Sequence, residues 1–193
     1  MKKETSMEEF EKMYNEKDID GLVNVIANET DTPLYAADLI MRINDKRAVE
    51  PLIDILNDES LNIHNRDIAA MALGPLGDSK AVEPLLKHIN NPNFDLRDDI
   101  VNSLIELKDP ISVDPLIKLL DDPYGHLRAR AAHALLIIGD KRALEPLKKL
   151  FKDKDNNFPD YDGIGVDKDY IEELNQAFDE FEINPREMKN LEW

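Results

Sequence analysis

A proline recurs in one slot of a repeated segment. "DKRAVEPLIDIL" begins at residue 45, "DSKAVEPLLKHI" at 78, "DPISVDPLIKLL" at 109 and "DKRALEPLKKLF" at 140. Pro51, Pro84, Pro115 and Pro146 therefore stand at the same distance from an aspartate, and those aspartates are separated by 33, 31 and 31 residues. Self-similarity at a period of about 20–50 residues marks stacked units that cannot bury their apolar faces alone. That single feature removes most folds from consideration.

A second matching segment lies twelve positions before each aspartate: "PLYAADLIMRIN", "RDIAAMALGPLG", "RDDIVNSLIELK" and "RARAAHALLIIG". A fainter fifth copy, "KETSMEEFEKMY" followed by "NEKDIDGLVNVI", precedes them, with Asn15 in the aspartate slot and Gly21 in the proline slot. Both halves read as helices. Ile68, Ala69, Ala72, Leu73 and Leu76 share one helix face, with alanines where a neighbouring helix must come close. Ala48, Val49, Leu52, Ile55 and Leu56 form the stripe of the partner half, with Glu50, Asp54 and Asn57 opposite. Gly77 and Gly139 fall where the first helix ends, a place that favours a left-handed residue; Asn44 suits it too, and Lys108 less so.

The proline then has a physical reading. A helix interior rejects it, because it lacks a donor and its ring strikes the preceding turn, whereas the first turn tolerates it. The second helix is expected to start near Ala48, with the aspartate held in the turn before it. Arg66, Arg97 and Arg128, at the heads of first helices, are expected partners for such aspartates in adjacent repeats. This recurring Asp and Arg serve the scaffold rather than chemistry.

The pattern R-x-x-A-A-x-A-L-x-x-[IL]-G-D-x-x-A-[VL]-E-P-L, spread over Arg66–Leu85 and Arg128–Leu147, resembles the short HEAT-like repeats named after phycobilisome lyases. An ankyrin-like "TPLYAA" at Thr32–Ala37 occurs once and is not repeated, and tetratricopeptide signatures are absent. The resemblance implies an all-α, right-handed α-α superhelix, a HEAT-like solenoid of about five helix pairs. Residues 1–152 form it, with 1–29 as a divergent capping repeat. Residues 153–193 add an acidic loop and a C-terminal capping helix, with Tyr170, Ile171, Leu174, Phe178 and Phe181 at helical spacing. At the other end, Ser6 and Glu9 read as a capping box, with Phe10 and Tyr14 covering the first repeat.

Charge limits the partners. The formal net charge is −17, and the last 41 residues contribute −9 of it, 13 acidic against 4 basic. Such a chain repels phosphate backbones and anionic membranes, so neither nucleic acid nor membrane is an expected partner. Without a leader-like or long apolar run the expectation is a cytoplasmic protein. No cysteine is present, which excludes disulfides, thiolate metal sites and a cysteine nucleophile.

Enzymes known on this scaffold can be checked by residue. Resemblance to deoxyhypusine hydroxylase would require His-Glu dipeptides, but His64, His88, His126 and His133 are followed by Asn, Ile, Leu and Ala. HEAT-like alkylpurine DNA glycosylases need a basic groove, and the net charge opposes it. No histidine pair has zinc spacing. Asp153, Asp155 and Asn157 open like a calcium loop, yet Phe158 and Ile164 occupy its glycine and glutamate positions; restarting at Asp160 fits Gly165 but fails at Ile171. No catalytic residue, cofactor or metal set is expected.

The expected function is a non-enzymatic protein-binding scaffold whose second helices line a concave face. Its outward positions are Asp20 and Asn24, Glu50 and Asp54, Glu83 and Lys87, Asp114 and Lys118, Glu145 and Lys149. The last three rungs read as intrahelical acid–lysine pairs. The N-terminal rungs, acidic or neutral, point to a basic protein partner. The alternative is a bilin lyase-like or other enzyme using the same groove, which the family's name keeps open.

Overall fold

The computed structural model describes residues 5–29 and 31–152. These residues contain ten α-helices and no strand. In chain order they are α1 (Met7–Glu16), α2 (Ile19–Asn28), α3 (Pro33–Ile43), α4 (Val49–Asn57), α5 (Ile63–Leu76), α6 (Val82–His88), α7 (Phe94–Leu107), α8 (Val113–Leu119), α9 (Gly125–Ile138) and α10 (Leu144–Lys152). They fall into two compact units, one running to Asp109 and the other starting at Pro110. In the first unit α1, α3, α5 and α7 lie side by side in sequence, as do α2, α4 and α6. In the second, α8 packs on α9. The acidic loop and capping helix expected over 153–193 lie outside the described residues.

Each recurring proline is the third residue of its helix, in α4, α6, α8 and α10. There its missing N–H is one of the donors that no helix start can satisfy internally. A single 3-10 turn precedes each of these helices, at Lys46–Ala48, Ser79–Ala81, Pro110–Ser112 and Lys141–Ala143. The turn is fixed from its head: Asp45, Asp78 and Asp140 accept the backbone N–H of Arg47, Lys80 and Arg142 at 2.9, 3.1 and 2.9 Å. Ahead of it, every first helix stops on a left-handed residue, namely Lys17, Asn44, Gly77, Lys108 and Gly139, with φ between 52° and 71°. Glycine takes that conformation freely, and a lysine there costs about 1–2 kcal/mol.

Two expectations are corrected. In the first pair the left-handed stop is Lys17, and Asp18, not Asn15, follows it as the helix cap, accepting the Gly21 N–H at 3.0 Å. The 3-10 turn is missing there, which moves the aspartate slot three residues along the chain; Gly21 still holds the third helical position. The helix-head arginines are likewise found on backbone carbonyls. Arg66 Nε donates to the Leu56 carbonyl at 3.0 Å, Arg97 Nη1 to that of Asn91 at 2.7 Å, and Arg128 Nη1 to that of Asp122 at 2.7 Å. Carbonyls at and beyond a helix C-terminus lack internal donors, and a guanidinium supplies several.

The capping box forms as expected: Ser6 N–H donates to Glu9 Oε2 at 2.7 Å and Glu9 N–H to Ser6 Oγ at 3.3 Å. Phe10 is buried behind it, but Tyr14 remains 41% exposed. The core is aliphatic, as the 6% aromatic content requires. Leu52, Leu73, Leu85, Leu104 and Leu116 are fully buried, and so are Ala36, Ala69, Ala72, Ala131 and Ala132, whose small side chains bring helices together.

Candidate functional site

The second helix of each repeat buries one stripe and leaves a regular row outside. In α4, Val49, Leu52, Ile55 and Leu56 face the core, so Glu50 and Asp54, four apart, must face away. The same register holds throughout. Asp20, Asn24, Glu50, Asp54, Glu83 and Lys87 in the first unit are all exposed, and so are Asp114, Lys118, Glu145 and Lys149 in the second.

Charges of this face are cross-linked between repeats. Lys80, in the 3-10 turn of one repeat, reaches Glu50 Oε1 of the preceding one at 2.7 Å. Arg142 occupies the same slot in the second unit and contacts Asp114 Oδ2 at 3.1 Å, the Pro110 carbonyl at 2.9 Å and its own cap, Asp140, at 2.9 Å. Lys87 bonds Asn57 Oδ1, again one repeat back, at 3.2 Å. The intrahelical pairing expected for Lys87 and Asp114 is thus replaced by contacts one repeat away. Lys80 and Arg142, each two places after a turn aspartate, thus sit beside the first rung of the previous second helix. Hydrogen bonding to Arg142 holds the Asp140 carboxyl below the usual range, and bonding to Glu50 holds the Lys80 ammonium above its own.

Other titratable groups are placed as scaffold. His88 is buried, its Nε2 3.0 Å from Asn57 Oδ1. His64 Nδ1 lies 3.4 Å from Asp67, whose carboxyl is pushed up by burial. His126 Nε2 accepts from Arg130 Nε at 2.8 Å. Among the described residues no three His, Asp or Glu side chains gather as a metal site.

In the second unit the polar face opens into a groove of about 580 Å3 between α8 and α10. Ile117, Leu120 and Leu150 give it an apolar wall, and Asp121, Glu145 and Lys149 supply its charges.

Paired helices, left-handed stops and one outward polar row per second helix define a helical-repeat protein of the α-solenoid class. The chain belongs to the family described as HEAT repeats, which matches residues 19–105 and 82–158. Comparison with curated proteins gives no match. Among solved structures, the complex of CpcE and CpcF of phycocyanin lyase from Nostoc sp. PCC7120 is similar, with a TM-score of 0.65 and 24% identity. The match covers 85% of this chain and 64% of that one, so this chain spans less than two thirds of its neighbour's length. The likeness is one of fold. No helix among the described residues is long and apolar enough to cross a membrane.

Proposed function

We propose that the protein is a non-enzymatic, cytoplasmic scaffold that docks a protein partner on its second-helix face, and that the partner's docking segment is basic. One observation carries this reading: Asp20, Glu50, Asp54 and Glu83 are exposed on the adjacent second helices of the first unit. The ion pair with Lys80 holds Glu50 in place before a partner arrives, which lowers the ordering cost of binding at that rung. The structural neighbour, a complex of two proteins, supports a protein as the partner. The test is capture from native lysate with the wild-type chain and with Glu50→Lys/Asp54→Lys in parallel. A partner retained by the wild type, lost by the variant and released by salt supports the reading; equal capture by both chains refutes it.

A second reading, an enzyme acting in the α8–α10 groove, draws support from the carboxylates Asp121 and Glu145 and the ammonium of Lys149 lining one space of ligand size. The neighbour's description as a phycocyanin lyase favours it too. Titration with a free bilin distinguishes the two, since an unchanged absorption spectrum removes the lyase-like alternative.

A further inference from the structure

Four of the seven large hydrophobic side chains exposed among the described residues lie on α1 or at the start of α3, namely Met7, Tyr14, Leu34 and Tyr35. Met7, 64% exposed, lines an open groove of about 430 Å3 between these helices together with Tyr14 and Tyr35. Its floor is Phe10, whose ring meets Tyr35 edge-on at 4.9 Å between centroids. Glu8 and Glu11 stand on the α1 side of the groove. Arg42, across from them, is already bonded to Asp38 at 3.0 Å, and among the described residues no ion pair joins it to Glu8 or Glu11. Helix α1 as a whole carries Glu8, Glu9, Glu11 and Glu16 against Lys12 alone.

We infer that the α1–α3 groove is a second docking site, distinct from the second-helix face. Its occupant is a short amphipathic segment of a partner protein. The segment's apolar side chains enter between Met7, Tyr14 and Tyr35, and its lysines or arginines meet Glu8 and Glu11. Charge decides among occupants. A second copy of the chain would set Glu8 and Glu11 against their own counterparts in an isologous contact. The chain's last 41 residues, 13 acidic to 4 basic, would meet the rim with like charge despite their apolar positions. An acidic rim around an aromatic and methionine floor selects a basic, apolar-faced helix.

The full chain, labelled at its methionine methyl groups, is titrated with two short amphipathic helical peptides that share a leucine face. One carries lysines on its polar face and the other glutamates. The lysine peptide shifts the Met7 methyl resonance, and the glutamate peptide does not. Met7→Ser/Tyr14→Ser, which leaves buried Phe10 in place, weakens the lysine peptide at least about tenfold, as loss of central anchors does. Glu8→Lys/Glu11→Lys weakens it as well, while Glu50→Lys/Asp54→Lys leaves the Met7 shift intact and so separates this site from the second-helix face. Equal binding of both peptides, or unchanged affinity in the Met7/Tyr14 variant, overturns the inference. So does self-association abolished by that variant, which assigns the groove to a second copy. A Met7 methyl already shielded from a soluble gadolinium chelate in the free monomer assigns it to the chain itself and overturns it equally.

Discussion

Gly74 on α5 lies against Ser103 on α7 so closely that a Cβ on the glycine would stand 2.6 Å from the serine Cα and 2.9 Å from its Oγ. The Ser103 hydroxyl donates to the Ala70 carbonyl at 2.7 Å and lies 3.4 Å from that of Met71. Pro75, inside α5, has no N–H to give Met71 four residues back. The neighbouring helix thus delivers a donor beside the place where proline withholds one.

Gly74→Ala tests this contact. Helix propensity alone would favour alanine by about 1 kcal/mol. The backbone of α7 is in the way, and overpacking costs about 1–3 kcal/mol, so a net loss of stability is expected in urea unfolding. Ser103→Ala leaves a buried carbonyl short of its donor and is expected to cost about 1–3 kcal/mol. A Gly74→Ala variant as stable as wild type would refute the close approach.

The position of the proline, rather than its presence, sets its tolerance. Pro84 is the third residue of α6, and Pro84→Ala is expected to be nearly neutral. Leu86→Pro moves the ring beyond the first turn and should cost about 3 kcal/mol or more. Thermal unfolding compares the two, and similar midpoints would contradict the argument.

Glu50 and Lys80 are both well exposed, so their pairing sets geometry more than stability. Lys80→Glu places two carboxylates together and should loosen the junction between α4 and the following 3-10 turn. The double exchange Glu50→Lys/Lys80→Glu restores opposite signs. Hydrogen exchange at Ala81 and Val82 should rise in the single variant and return toward wild type in the exchange. If the exchange fails to restore protection, the pair does not organise the junction.

His88 makes stability depend on pH. Burial pushes its imidazole below the ordinary value near 6.5, with the charges of Arg66 and Lys87 adding to this and Glu59 opposing. The folded form therefore binds this proton less readily than the unfolded chain. The contribution is complete above about pH 6.5 and is lost as pH falls through the depressed folded value. His88→Gln keeps a donor for Asn57 and removes the titration. The stability difference between wild type and variant should shrink between about pH 7 and 5; parallel profiles would remove His88 as the cause.

Periodic features were legible from sequence because stacking repeats them. The helix stripes, the proline slots and the left-handed stops at Asn44, Gly77, Lys108 and Gly139 each appear several times, so one ambiguous copy is corrected by the others. Asp18 escapes the periodic pattern because its copy lacks the 3-10 turn and no period reveals a deletion. Pro75 and Ser103 answer each other across two helices, a relation that neither residue's own segment displays. The polar face was half legible. Exposure of Glu50 or Asp114 follows from helical spacing, but their partners Lys80 and Arg142 depend on how far one repeat lies from the next. Local rules about residues four apart carry no information on that distance.

The hydrogen bonds between repeats share one property. Lys80 to Glu50 spans 30 residues, Ser103 to Ala70 spans 33, and the Asn65 side chain to the Glu29 carbonyl spans 36. Each of these bonds reaches back over no more than 36 residues to chain already made. A chain leaving the ribosome at about 5–20 residues per second completes each of these loops within about 2–7 seconds of the first partner's appearance. The order of synthesis is therefore also a workable order of assembly, each repeat serving as the template on which its successor settles.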